Sequence, residues 1–292
     1  VILVVTFAVV GGDVRQLKLV QLLRQEGHKV NIAAFEKDPD FNKECMDFKN
    51  AVGLSDCVLL PIPAFTAEGY VVTQCSDERI SSNALLKSLN PGSLVIGGRL
   101  GEEFESKAAE LGCCASDILN REDFSIANAV PTAEAAIQIA MQQLPITIAG
   151  SKCLVAGGGR IGKQLAMRLH LLGADVTVTV RKASDAAFCE SFGAKAEYTA
   201  RLETLVQGSD IIFNTVPELV FDEQILAGVD KTCPCIDLAS MPGGFDDEAA
   251  EKLGLVLIHA LSLPGKAAPV TSALNLKKVI GRILAETAAP CH

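Results

Sequence analysis

Gly157, Gly159 and Gly162 stand directly behind the apolar run Cys153-Leu154-Val155-Ala156, and this G-x-G-x-x-G spacing is suited to holding a pyrophosphate. The first glycine of such a turn allows the tight reversal, the second lets the backbone approach phosphate oxygens, and the third lets the helix pack close to the strand. Arg160 and Ile161 open the following helix, whose first amides and dipole favour an anion. Further along, Val180 is followed by Arg181-Lys182-Ala183-Ser184. An NAD site commonly presents Asp or Glu about 20 residues past the glycines to bond the ribose hydroxyls, whereas a 2′-phosphate repels a carboxylate and needs cations. Arg181 can fork onto phosphate oxygens, Lys182 adds a point charge and Ser184 a hydroxyl donor. The reading favours NADP, with NAD as the alternative.

The elements needed to position these groups are present in the sequence. Lys163 to Leu172 has helical periodicity and stops at Gly173, and Ala174 to Val180 alternates at period two with β-branched residues. Later buried strands at Asp210–Pro217, Pro234–Ser240 and Leu255–His259 bring polar or proline residues to their carboxyl ends. In an open parallel sheet those ends border the ligand crevice, so Asn214, Thr215, Val216, Pro217, Asp237, Leu238, Ala239 and Ser240 are expected beside the ribose and nicotinamide.

The amino-terminal half repeats the β-α-β order without the fingerprint. The run Val1 to Val10 reads as a strand buried on both faces, then Gly11-Gly12-Asp13-Val14-Arg15 leads into a helix, and Lys29 to Phe35 forms a second strand. Asp13 would set a carboxylate against any phosphate at that helix start, so this turn is expected to hold substrate rather than a second dinucleotide. The substrate candidates are Gly12, Asp13, Arg15, Arg99 and Lys266. They are expected in an interdomain crevice opposite a nicotinamide near Asp237 to Ser240, with closure about a hinge bringing the two together. The fold expected is α/β, two Rossmann-like doubly wound parallel-sheet domains joined by a long helix that starts at Pro131 or Thr132. Residues 1–130 form the first, completed by a returning helix at 271–292 whose Leu and Ile stripe needs a partner; residues 131–270 form the second.

Composition sets the outer bounds. With 292 residues, 49% of them hydrophobic, the chain can build two full cores. A net charge of −9 argues against nucleic acid as a partner. No apolar run of about 18 residues occurs, since the first one is broken by Thr6 and ends at Gly11-Gly12, so neither a membrane span nor a signal peptide is expected. Ten scattered cysteines fit a reducing cytoplasm, and neither Cys113-Cys114 nor Cys233-Pro234-Cys235 has a second pair or a histidine at zinc spacing, so no metal is assigned. His259 near a strand end has no acidic partner at an obvious spacing and reads as structural.

The chain resembles the dipicolinate synthase A-subunit family along essentially its whole length. The resemblance is carried by Gly11-Gly12-Asp13-Val14-Arg15-Gln16, Ile126 to Glu134, Asn214-Thr215-Val216-Pro217, Asp237 to Gly244 and Leu263 to Pro269. It implies oxidation of dihydrodipicolinate to pyridine-2,6-dicarboxylate with NAD(P)⁺, a partner in the flavoprotein-like B-subunit of dipicolinate synthase, a homo-oligomer, and a place in the mother-cell cytoplasm of a sporulating bacterium. No unique catalytic base is evident among the residues. Where family members often carry Arg before Pro-Gly-Gly, this chain has Met241. The fingerprint alone is also similar to D-2-hydroxyacid dehydrogenases and to the cofactor domain of adenosylhomocysteine hydrolases. A non-enzymatic NADP-binding partner protein is the remaining alternative.

Overall fold

Strands separated by helices build two parallel sheets in a computed structural model that describes residues 4–288; Val1 to Leu3 and the last four residues of the expected returning helix lie outside the described residues. One unit comprises the described residues up to Ser125 together with those from Pro269 onward, and the other is Ile126–Ala268.

In the first unit the chain runs β1 (Thr6–Val10), α1 (Val14–Gln25), β2 (Lys29–Ala33), α2 (Phe48–Gly53), β3 (Cys57–Leu59), α3 (Ser82–Leu86), β4 (Leu94–Gly97), α4 (Glu102–Glu110) and β5 (Cys114–Asp117), followed by α5 (Glu122–Gln143). The sheet order is β2-β1-β3-β4-β5 with every pairing parallel. The inner strands β1, β3 and β4 are buried on both faces, which is why they read as apolar runs, whereas the edge strands β2 and β5 carry polar, partly exposed residues.

The second unit continues with β6 (Lys152–Ala156), α6 (Arg160–Leu171), β7 (Asp175–Val180), α7 (Ala183–Ser191), β8 (Lys195–Tyr198), α8 (Leu202–Leu205), β9 (Ile211–Asn214), α9 (Glu223–Leu226), β10 (Cys235–Asp237), α10 (Asp247–Leu253), β11 (Leu257–His259) and α11 (Leu263–Ala267). Its order, β11-β10-β9-β6-β7-β8, reverses direction at β6 and β9, the switch point of a doubly wound dinucleotide fold.

The last helix, α12 (Pro269–Ala288), buries Ala273, Leu276, Val279, Ile280 and Ile283 in the same core as Leu19, Val20 and Leu23 of α1. An ion network ties α12 to the residues just before and inside α5. Arg121 bonds Asp123 and Glu286, and Arg282 bonds Asp123 at 2.7 Å. Arg121 and Arg282 hold the Asp123 carboxyl down at about 2.

Two boundaries need correction. α5 begins at Glu122, not at Pro131 or Thr132, and the division between the units falls at 125/126 rather than 130/131. Pro131 sits inside the helix, where it cannot donate; beside it the Thr132 hydroxyl donates to the Asn128 carbonyl, one turn earlier, at 2.8 Å. At the other end the returning segment starts at Pro269, two residues before the expected 271, because Pro suits the first turn of a helix.

Candidate functional site

The glycine turn separates into positions the fold requires and one it does not. Gly157 has φ +102°, and a β-carbon there would stand 2.4 Å from the Thr215 hydroxyl. A β-carbon on Gly162 would stand 1.8 Å from the Gly157 carbonyl oxygen, so α6 can only approach β6 with glycine in that place. Gly159 differs. Its φ is −77°, open to any residue, and a β-carbon would meet no heavy atom within 4 Å. It is the N-cap of α6 and offers no side-chain cap to the first-turn amides, where Arg160 is exposed and Ile161 half-buried. Backbone packing therefore accounts for two glycines of the motif, and the space over the third is a cradle with the polarity a pyrophosphate needs.

At the end of β7, Arg181 is 76% exposed and lies 3.8 Å from the exposed carboxylate of Glu218, a loose pair that leaves the guanidinium free to turn. Lys182 is the N-cap of α7, and Ser184 is exposed in its first turn. Asp185, one residue past Ser184, packs so close to the turn that a β-carbon on Gly158 would lie 3.2 Å from its own. Its carboxylate accepts from the Lys163 ammonium at 2.6 Å.

At the ends of β9 and β10 three of the expected side chains, Asn214, Thr215 and Asp237, bond within the chain. Asn214 and Asp237 are fully buried. Asn214 Nδ2 donates to Asp237 Oδ1 at 2.8 Å and to the Val216 carbonyl at 2.9 Å, while the Val216 amide donates back to Asn214 Oδ1. Asp237 accepts further from the amides of Ala239 at 3.0 Å and Gly244 at 2.9 Å. Thr215 donates to the Ala156 carbonyl. These groups shape the two loops; Leu238 and Ala239 are buried, Val216 is half-buried, and Pro217, Ser240 and Met241 are exposed on them or nearly so. Asp237→Asn should cost about 2 kcal/mol of unfolding free energy in urea, since an amide nitrogen would oppose an N–H donor inside a buried network. An unchanged midpoint would remove Asp237 from that role.

His259 also departs from its reading. Its Nε2 is 2.9 Å from Asp247 Oδ1, at the start of α10, so it has a carboxylate partner twelve residues upstream. Burial pushes the Cys153 thiol up to about 11 and that of Cys235 to about 12, which leaves both inert as nucleophiles. Among the described residues no group of three or more His, Cys, Asp or Glu could hold a metal ion.

In the first unit, the polar side chains of the Gly12-to-Arg15 turn bond within the chain. Asp13 caps α1, accepting from the Arg15 amide at 2.9 Å, and takes the Arg15 guanidinium through Nε and Nη2. Arg15 Nη2 also donates to the Ile62 carbonyl across the β1/β3 switch point, and both side chains are largely buried. A segment between β3 and α3 closes over the same turn. Gln74 donates to the Gly12 carbonyl at 3.0 Å, and the Thr73 hydroxyl donates to the Ala34 carbonyl.

Arg99 remains available. It is exposed, two residues past β4, makes no side-chain bond or ion pair among the described residues, and sits in the left-handed region at φ +57°, a costly conformation for a residue with a β-carbon. Asp117 holds it there by accepting from the amides of Arg99 at 3.0 Å and Leu100 at 2.9 Å. Lys266 is exposed on α11 in the second unit.

Two parallel-sheet units, the second with a dinucleotide cradle at its switch point, define an NAD(P)-dependent oxidoreductase. The NAD-binding domain model of D-isomer specific 2-hydroxyacid dehydrogenases matches residues 132–227. The model of the N-terminal domain of the dipicolinate synthase A-subunit matches residues 6–119. The dipicolinate synthase A-subunit of Bacillus subtilis (strain 168) is 32% identical over 286 residues, covering 97% of this chain and 96% of that protein. The chain belongs to the dipicolinate synthase A-subunit family. Crystal structures of the dipicolinate synthase A-subunit from Bacillus subtilis (TM-score 0.84, 30% identity, 97% and 96% of the two chains) and Bacillus halodurans (TM-score 0.86, 29% identity, 98% of each) share the fold. A transhydrogenase from Sinorhizobium meliloti, 18% identical with a TM-score of 0.68 over 95% and 94% of the two chains, shares the architecture alone. No described helix is long and apolar enough to cross a membrane.

Proposed function

We propose that this chain oxidises dihydrodipicolinate to pyridine-2,6-dicarboxylate, with NADP⁺ as acceptor. The observation that carries the substrate is the likeness to the dipicolinate synthase A-subunit across both units, at 97% of the chain. The ring loses two hydrogens, one as a hydride and one as a proton. Bound over Gly159, the oxidised nicotinamide cofactor supplies the hydride acceptor. Aromatisation drives the step, so the tasks left to the chain are to align the substrate, exclude water and take one proton. Of the two candidate arginines of the first unit, Arg99 is the one left to grip a carboxylate, since Arg15 is neutralised by Asp13.

NADP is favoured by Arg181, Lys182 and Ser184 at the ribose end. Arg181→Ala should weaken NADP by about 2 kcal/mol in calorimetry, the worth of a charge-assisted hydrogen bond, and barely change NAD. Equal affinities for the two cofactors in the unmutated protein would overturn this preference.

The decisive assay follows NADPH and dipicolinate formation from freshly made dihydrodipicolinate, with and without the flavoprotein-like B-subunit, which we assign as the partner. Turnover in either arm supports the reading; silence in both, with NADP bound, supports a non-enzymatic role as an NADP-binding partner protein. Homo-oligomerisation and a mother-cell cytoplasmic location belong to the same proposal and are tested by sedimentation and by imaging in sporulating cells.

A second reading, a D-2-hydroxyacid-dehydrogenase-like enzyme, is favoured by one observation. With Nε2 bonded to Asp247, His259 keeps Nδ1 for a hydroxyl proton. Oxidation of a panel of 2-hydroxy acids in preference to dihydrodipicolinate would select it.

A further inference from the structure

The ribose end of the cofactor cradle contains a contradiction. Arg181 and Lys182 suit a 2′-phosphate, yet Asp185 lies against the glycine turn, 23 residues past Gly162, near the spacing at which an acidic side chain receives an NAD ribose. A bare carboxylate there would repel a 2′-phosphate. Lys163, one residue past the last glycine of the motif, resolves it. Its ammonium is 2.6 Å from Asp185 Oδ1 and 5.0 Å from the centre of the Phe188 ring, so a carboxylate and an aromatic face from α7 both fix it. The two charged side chains are 27% and 25% exposed, against 76% and 71% for Arg181 and Glu218, and a pair so shielded holds its charges together more firmly than a surface pair.

We propose that Lys163 determines cofactor specificity: by holding Asp185 it withdraws the acidic group that would otherwise accept an NAD ribose and repel the 2′-phosphate. This rests on the NADP reading above. Lys163 acts through Asp185 and is a positioning residue. With Asp185 held, the groups around the ribose end are three cations, Lys163, Arg181 and Lys182, against two carboxylates, Asp185 and Glu218. Without Lys163 the cations and carboxylates are equal in number, and one carboxylate is unpaired beside the turn.

The test is titration calorimetry of NADP⁺ and NAD⁺ on the full chain and its variants. Lys163→Met should weaken NADP on the order of tenfold and leave NAD unchanged or up to about threefold tighter. Lys163→Arg should keep the wild-type ratio. Adding Asp185→Asn to Lys163→Met should return NADP to within about threefold of wild type, because the repelling charge is gone. Equal weakening of both cofactors by Lys163→Met, or failure of Asp185→Asn to rescue, overturns the proposal. Arg181→Ala, run alongside, separates the two levels. No effect of Arg181→Ala on NADP sinks the cofactor reading, whereas a selective effect of Arg181→Ala with no rescue by Asp185→Asn sinks only the role of Lys163.

Discussion

Gly159→Ala should bind NADP on the order of 10²-fold more weakly than the unmutated chain while melting within about 3 °C of it. The two halves of this expectation come from different observations. A β-carbon at Gly159 meets nothing within 4 Å and the backbone there has φ −77°, so the free protein accommodates alanine without a clash. Alanine is a poorer N-cap than glycine, but it also restricts the unfolded chain, and these two terms, each below about 1 kcal/mol, oppose each other. In the complex proposed above the methyl would occupy the approach of the pyrophosphate to the first-turn amides of α6, so its effect is expected on binding. Gly162→Ala is the control of opposite character. With its β-carbon 1.8 Å from a carbonyl oxygen, it should lower stability even without cofactor. Normal NADP affinity in Gly159→Ala, measured by calorimetry beside a thermal scan, would place the pyrophosphate elsewhere.

The same contrast explains what is legible in the sequence. The β6–turn–α6–β7 unit can be read because its signals are local: an apolar run, four glycines in six residues, a helical stripe ending at Gly173, and period-two alternation. Asn214 and Asp237 can be found by their places at strand ends, but not their role. The bonds that turn them inward come from Val216, Ala239 and Gly244, and only folding shows that these polar atoms are used within the chain. Arg15 and Asp13 are two residues apart, yet Ile62, which receives the guanidinium from 47 residues away, reveals that this arginine stitches the switch point together. Lys163 with Asp185, and His259 with Asp247, are pairings between separate elements that no fixed spacing encodes. Pro131 misleads for a related reason. A proline most often opens a helix, but here helical residues already precede it, and the side chain of Thr132 makes a bond to the Asn128 carbonyl.

Arg99→Gly should make the protein slightly more stable and about 10²-fold less active in kcat/KM on dihydrodipicolinate. At φ +57° an arginine carries backbone strain on the order of 1 kcal/mol that glycine does not, and the clasp by Asp117 uses only backbone amides, so it survives the substitution. Removal of the side chain therefore relieves the strain while deleting the exposed guanidinium, and losing one carboxylate clamp costs about 3 kcal/mol of alignment and charge pairing. Arg99→Ala keeps the strain and should lose the same activity, which separates the chemical contribution from the conformational one. Arg15→Ala should behave differently from both. It unpairs Asp13 at the N-cap of α1 and vacates the Ile62 carbonyl, so its first effect is a fall in melting temperature. The measurement is steady-state turnover in the presence of the partner, with NADP affinity determined separately and expected to be unaltered in all three variants. If Arg99→Gly and Arg99→Ala both keep wild-type kcat/KM, the strain at this position serves the fold alone and the substrate carboxylate is gripped by another cation.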